Sequence, residues 1–222
     1  MTRTATVPGS VIAPQPRALV GSVVRLDPAV PEDAPGLFVA LDDGRVWAAG
    51  YGGGPAGRPA DVESMRRLLT TAARARDTEP GGSSYRVAWT VRLAADGPLG
   101  RLGTVVGTTS LGEADLTNER VHLGWTAYGP RWWGSAVNPE CKLLLLGHAF
   151  DDCRFGRVKI QTDARNQRSQ AAIARLGATR EGVLRRHQRR ADGSFRDTVV
   201  FSVLREEWPA VRDGLAARLT AA

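Results

Sequence analysis

The spacing of apolar residues in this chain changes from a period of 3.6 to a period of 2 at about residue 85, and that change limits the folds open to it. Before it, Ala34, Leu37, Phe38 and Leu41 recur at helical spacing and end near Asp42-Asp43-Gly44. A Gly/Pro-rich loop follows at Gly50–Pro59. Asp61 can then cap a second helix with an apolar stripe of Met65, Leu68, Leu69, Ala72 and Ala73. From Tyr85, the residues Tyr85, Val87, Trp89, Val91 and Leu93 alternate with Arg86, Ala88, Thr90 and Arg92, as in a half-buried strand.

Asp96-Gly97-Pro98 turns the chain. Leu102–Leu111 and Val121–Ala127 read as strands around a polar loop holding Glu113, Asp115 and Asn118. A helix is expected from about Val137 to Asp151, then a strand through Val158, Ile160 and Thr162. Asn166 can cap a short helix that ends at Leu176, where Gly177 stops it. Asp192-Gly193 joins Ala178–Gln188 to Phe195–Leu204 as a hairpin, and a last helix shows Trp208, Val211, Leu215 and Leu219. With Leu19–Leu26 as a first strand, the order is β-α-α-β-β-β-α-β-α-β-β-α. That order fits one α/β domain with a mixed, mostly antiparallel sheet flanked by helices, spanning residues 19–220 behind a loose tail at 1–18.

Composition narrows the class. A chain of 222 residues with 42% hydrophobic and 24% charged residues can bury its own core without disulfides or metal. Two cysteines, Cys141 and Cys153, exclude a disulfide scaffold and suit a reduced, cytoplasmic setting. The longest aliphatic run, Leu143–Leu146, is too short for a membrane span. The tail carries Pro8, Pro14 and Pro16 and lacks the apolar core of a secretion signal. The net charge of +7 would suit a polyanionic partner. There is no zinc-finger spacing, aromatic RNA-binding strand or basic recognition helix, so the arginines are read as a solvated surface and nucleic acid is disfavoured. Homodimerisation stays open.

The stretch Leu123–Pro139 carries the chemical signal. It is a strand, a turn of small residues and a helix start with Pro139 in the first turn. Such a turn directs free backbone N–H groups toward an anion at the positive end of a helix, with Arg131 adding charge. Arg131-x-x-Gly134-x-Ala136 resembles the pyrophosphate-binding motif of the GNAT acyltransferase superfamily. The ordered set that follows resembles the branch containing the N-terminal acetyltransferases of ribosomal proteins. That set is Ala149-Phe150, Arg157-Val158, Asn166-x-x-Ser169, Leu176-Gly177, Glu181-Gly182-x-Leu184-Arg185, Asp192-Gly193, Asp197 and Glu207-Trp208.

The resemblance implies a splay between the fourth and fifth strands, Val121–Ala127 and Val158–Thr162, that holds acetyl-CoA as co-substrate. Its pyrophosphate would rest on Trp133, Gly134, Ser135 and Ala136, and its pantetheine would run along Trp125, Thr126 and Ala127. Asn166 would lie near the pantetheine amide, and Ser169 could donate to the leaving sulfur. Ile173 departs from the family, many of whose members place a Tyr acid there. For the proton acceptor, His122 occupies a position where the branch often has Glu, and its ordinary pKa of about 6.5 suits a base. Glu119 acting through water is the competing base.

Strand alternation puts Val121, Leu123 and Trp125 on one face, with His122, Gly124 and Thr126 on the other. The implied activity is transfer of an acetyl group to a primary amine of unknown identity, a protein N-terminus or a small molecule, by direct transfer in a ternary complex. The alternative is an acyl-CoA-binding regulatory domain without turnover. The acceptor pocket would come from Ala48–Pro59 and Gln188–Phe195.

Cys141, His148 and Cys153 match no zinc spacing, so no metal is expected. His148 reads as a partly exposed helix residue. His187 lies among Arg185, Arg186, Arg189 and Arg190 on a solvated face, and Trp89, Trp125 and Trp132 read as core.

Overall fold

The computed structural model describes residues 10–48, 50–79, 82, 84–190 and 192–220. Eight strands form one sheet: β1 (Leu19–Val20), β2 (Val24–Pro28), β3 (Arg86–Leu93), β4 (Val105–Asp115), β5 (Arg120–Tyr128), β6 (Arg157–Asp163), β7 (Thr179–Arg189) and β8 (Phe195–Leu204). Their spatial order is β1-β2-β3-β4-β5-β6-β8-β7, and every neighbour pair is antiparallel except β5–β6. The helices are α1 (Ala34–Leu41), α2 (Gly44–Ala48), α3 (Val62–Ala75), α4 (Val137–Gly147), α5 (Gln167–Ala174) and α6 (Trp208–Thr220). The expected mixed α/β sheet is therefore present.

Several local expectations are corrected. The first strand is two, because the chain bends at Gly21–Val23 and β1 folds back on β2. The carboxylate of Glu140, on α4, fills that bend. It accepts from the N–H of Ser22 (2.9 Å), Val23 (2.6 Å) and Val24 (2.6 Å), and from the Ser22 hydroxyl (2.8 Å). Gly21 is required there, since a Cβ would run into the Glu140 carboxyl. Glu113 and Asp115 belong to β4 rather than to a loop, and β4 starts at Val105 while Leu102 is exposed.

β3 is covered on both faces, so Ala88 and Thr90 are buried beside the apolar set. Asp33 supports that second face by accepting from the Thr90 hydroxyl (2.6 Å) and pairing with Arg92. Leu68 is exposed, leaving Met65, Leu69 and Ala72 as the buried stripe of α3. Asp61 caps α3 as expected, accepting from Ser64 N–H at 2.7 Å. The loop at 50–59 contains two 3-10 turns, Tyr51–Gly53 and Pro55–Gly57.

Of the expected tail, residues 1–9 lie outside the described residues. The rest is tied down: Tyr85 donates to Pro14 O (2.6 Å), Trp89 to Arg17 O (2.8 Å) and Ile12 N–H to Cys153 O (3.0 Å). His148 is buried rather than partly exposed, in a π-type turn after α4, with Nδ1 2.8 Å from Asp152. Its Nε2 is 3.7 Å from Cys153 Sγ, so those two meet, whereas Cys141 belongs to another part of the core. Burial pushes the Cys153 thiol up to about 12, which leaves it an inert core group.

Candidate active site

The site follows from how β5 leaves its neighbours. β5 and β6 pair in parallel only at Arg120↔Arg157, Val121↔Val158 and His122↔Lys159, and beyond those residues they part. Among the described residues no strand pairs with the β6-facing edge of β5 from Leu123 to Tyr128, so no ladder hydrogen bonds are made there. This is the expected splay, and it opens toward α4 and α5.

A bulge reshapes that edge. Thr108 pairs with Ala127 while Ser110 pairs with Gly124, so Trp125 and Thr126 together oppose Thr109. Trp125 takes φ 49°, a left-handed conformation that a tryptophan adopts only when its surroundings impose it. The expected alternation fails here. Trp125 turns to the His122 face, its ring 4.7 Å from His122 and under the Arg86 guanidinium at 4.6 Å. Thr126 turns to the α4 face, with Oγ1 2.8 Å from Thr109 Oγ1 and accepting from Lys142 Nζ at 3.1 Å.

The turn after β5 forms the cradle. Gly134 is exposed with φ 76°, and a Cβ there would meet nothing within 4 Å, so space for a ligand lies directly against the backbone. The N–H groups of Gly134 and Ala136 make no backbone hydrogen bond among the described residues, and α4 begins one residue later. Ser135 Oγ donates to Trp132 O at 2.7 Å, shaping the turn rather than facing outward. Arg131 is exposed beside it. Trp133 is half-buried, donates to Tyr128 O (2.8 Å) and lies under Arg168 of α5, whose guanidinium carbon is 3.3 Å from the ring centroid. An open, glycine-lined cluster of N–H groups at a helix start fits a pyrophosphate.

Asn166 caps α5, its side chain accepting from Ser169 N–H at 3.0 Å, and half-buried Ser169 stands on the first turn. Ile173 is buried core. His122 is buried, with Nδ1 3.3 Å from Glu113 Oε1 but off the line of a hydrogen bond, so both ring nitrogens are unbonded. Burial lowers its pKa, with Glu113 opposing and the nearby Lys159 and Lys142 ammonium groups assisting, so the ring is neutral at pH 7. Glu113 reaches this face because φ 50° swings it out of register. It is held at about 2 by His122 and by Lys159, which is 2.6 Å away.

Glu119 is not brought to this cluster. It lies in the turn before β5, its carbonyl accepting from Gly156 and Arg157, beside Arg154 and Arg205 at the closed end of the β5–β6 pair.

On the His122 face, a cavity of about 310 Å³ opens between residues 48–56, Asp163–Asn166 and the β7–β8 hairpin at Arg190 and Asp192. These are the two segments expected to form an acceptor pocket. Arg190 is a correction to the solvated-arginine reading, since its guanidinium is mostly buried against Asp163 at 2.8 Å. β7 itself is exposed at every residue but Gly182, and His187 Nδ1 lies 3.0 Å from Thr198 Oγ1.

Sequence reading missed Glu113, Lys159 and Lys142. Lys142 left a signal: it adjoins Leu143–Leu146 in a helix that is apolar nearly all round, and such a helix is buried. Glu113 left none, because its orientation depends on the local bulge.

A sheet with this splay and a phosphate-type cradle after the splayed strand defines a class, and the chain belongs to it: the acetyltransferase (GNAT) domain family matches residues 24–179. Members of that family use acetyl-CoA. A protein from T. thermophilus, described as an acetyltransferase, is 37% identical, with TM-score 0.74 over 92% of this chain and 98% of that one. YdaF of Bacillus subtilis strain 168, described as a ribosomal N-acetyltransferase, is 29% identical over 107 residues, 48% of this chain. RimJ of Mycobacterium smegmatis, crystallised with CoA-disulfide, shares the fold with TM-score 0.70 at 19% identity over 93% of this chain and 97% of its own. The likeness to RimJ is one of fold. The chain matches 57% of the length of its curated relatives. Among the described residues, no helix is long and apolar enough to cross a membrane.

Proposed function

We propose that this chain is an acetyl-CoA-dependent N-acetyltransferase of the cytoplasm that transfers acetyl directly to a primary amine, a protein N-terminus or a small-molecule amine, in a ternary complex. The observation that carries this reading is the parting of β5 from β6 after His122, with the Gly134 cradle at the mouth of the gap. The N–H groups of Gly134 and Ala136 hold the pyrophosphate, with Arg131 adding charge. The free edge of β5 at Trp125, Thr126 and Ala127 binds the pantetheine arm and offers N–H groups to the thioester oxygen. Trp133 lines the mouth, and Asn166 positions the arm from the start of α5.

In the transfer, the amine nitrogen bonds to the thioester carbon and the carbon–sulfur bond breaks. Neutral His122 accepts the proton the amine sheds, directly or through one water. The Ser169 hydroxyl donates a hydrogen bond to the departing thiolate, which then takes its proton from solvent. Glu113 orients His122 and stabilises its protonated form. The acceptor enters through the cavity between 48–56 and the hairpin, on the face that carries His122.

The test is thiol release from acetyl-CoA with a panel of N-terminal peptides and small amines. Amine-dependent release supports the reading. Tight acetyl-CoA binding with no release for any amine would make the chain a binding domain instead.

A further inference from the structure

Lys142 is a buried titratable group that the reaction above does not use. It is 5% exposed, on the face of α4 that packs under β5. Among the described residues no carboxylate lies within ion-pair distance of it, and its hydrogen bond is to Thr126. An ammonium taken out of water without a counter-charge is costly, and replacing buried charge with apolar volume often stabilises a protein. Its presence there therefore calls for a role other than stability.

Its partner supplies that role. Thr126 is the residue that the bulge turns onto the α4 face, and Thr109 and Lys142 hold it there from β4 and α4. The backbone carrying Thr126 is the free edge offered to the thioester. We propose that Lys142 is a positioning residue for acetyl transfer: by holding Thr126 it fixes the β5 bulge, and it sets a buried ammonium behind the N–H groups that polarise the thioester carbonyl. The field of an ammonium in a dry interior is much stronger than the same charge in water. It favours the oxygen that becomes negative as the amine adds.

Burial lowers the Lys142 pKa to about 8. The titratable groups that interact with it are Cys141 on its own helix and His122 on β5, with Tyr128 beyond Cys141; β4 contributes the neutral Thr109. Burial raises the Cys141 thiol and the Tyr128 phenol, so both stay neutral there, and His122 is neutral at this pH. The ammonium is then the charge that changes between pH 7 and 9.

The inference rests on the acetyl-CoA reading and is tested first with that compound alone, then in turnover. Acetyl-CoA carrying 13C at the thioester carbonyl is bound to the wild type, Lys142→Met and Thr126→Val, with binding measured by calorimetry. In the wild type the carbonyl resonance shifts on binding, and the shift diminishes as pH rises through about 8. Lys142→Met should bind acetyl-CoA with near wild-type affinity, lose most of the shift and lose its pH dependence. Thr126→Val, which keeps the charge, should lose the geometry-dependent part and retain the pH dependence. With an acceptor from the thiol-release panel, Lys142→Met should lower kcat about tenfold, less than the 10²–10³ typical of a direct oxyanion donor, with little change in KM. A folded Lys142→Met protein with the wild-type carbonyl shift and pH profile overturns the proposal. Failure of the wild type to bind acetyl-CoA would overturn the functional reading instead.

Discussion

The two sides of β5 are built differently. On the α4 side the proposed donor end of the site is buried and fixed: Thr126 is hydrogen-bonded to both Thr109 and Lys142, and Gly134 leads into α4. On the other side, the cavity between 48–56 and the hairpin is lined by loops, small residues and charges of both signs, and β7 beside it is exposed. On the proposed reading, the donor is recognised by backbone geometry that the fold supplies, and the acceptor by surface that can change without disturbing the core.

The sharpest way to break this contrast is at the cradle. Gly134→Asp puts a carboxylate where N–H groups face the pyrophosphate and forces an aspartate to φ 76°. Acetyl-CoA binding should fall below detection by calorimetry, while the strain at φ 76° lowers the thermal transition by only a few degrees and the protein stays folded. Near-normal affinity would mean that the cradle is elsewhere.

His122→Ala should follow, lowering kcat/KM by about 10²-fold and leaving acetyl-CoA affinity intact. Because burial lowers the His122 pKa, the acid limb of the wild-type rate profile should lie below 6.5, and the variant should lack it. The same residue gives a sign for stability. The unfolded chain takes up this proton at higher pH than the native one, so native stability falls as pH drops below about 6.5, and this loss should be smaller in His122→Ala.

Asn166→Ala removes a cap worth about 1 kcal/mol and a contact to the pantetheine arm, so it should lower both Tm and acetyl-CoA affinity. Ser169→Ala should lower kcat more than it raises the acetyl-CoA KM. Equal kinetics in both variants would leave Asn166 a cap and nothing more. The smallest effect is expected at Arg165, exposed at the rim of the cavity. Arg165→Ala should change only the acceptor KM, by a few-fold, while Tm and the acetyl-CoA KM stay constant. If it alters the donor KM instead, the separation of the two sides is wrong.

The donor side was largely legible in the sequence. Gly134 followed by Ala136 and a helix start announces free N–H groups, and Asn166 before Gln167–Ala174 announces a cap. The inside-out error at β5 has one cause. Alternation assigns faces correctly at His122 and Leu123, but a single extra residue at Trp125 reverses every later assignment, and no residue type marks the bulge. His148 was misplaced for a similar reason. It follows a regular helix, but the π-type turn at His148–Asp152 carries it inward against Trp89. The acceptor cavity could be located by its segments but not read, because its shape comes from loops without periodicity.

Glu140 gives the N-terminal hairpin a second use. The amides of Ser22, Val23 and Val24 belong to a two-strand bend at the sheet edge, where fast hydrogen exchange would be ordinary. Here they are locked by a carboxylate from the first turn of α4. Their exchange rates therefore become a gauge of how firmly that helix is seated. Slow exchange at residues more than a hundred positions upstream should track the integrity of the phosphate cradle, and any ligand that seats α4 should be visible there first.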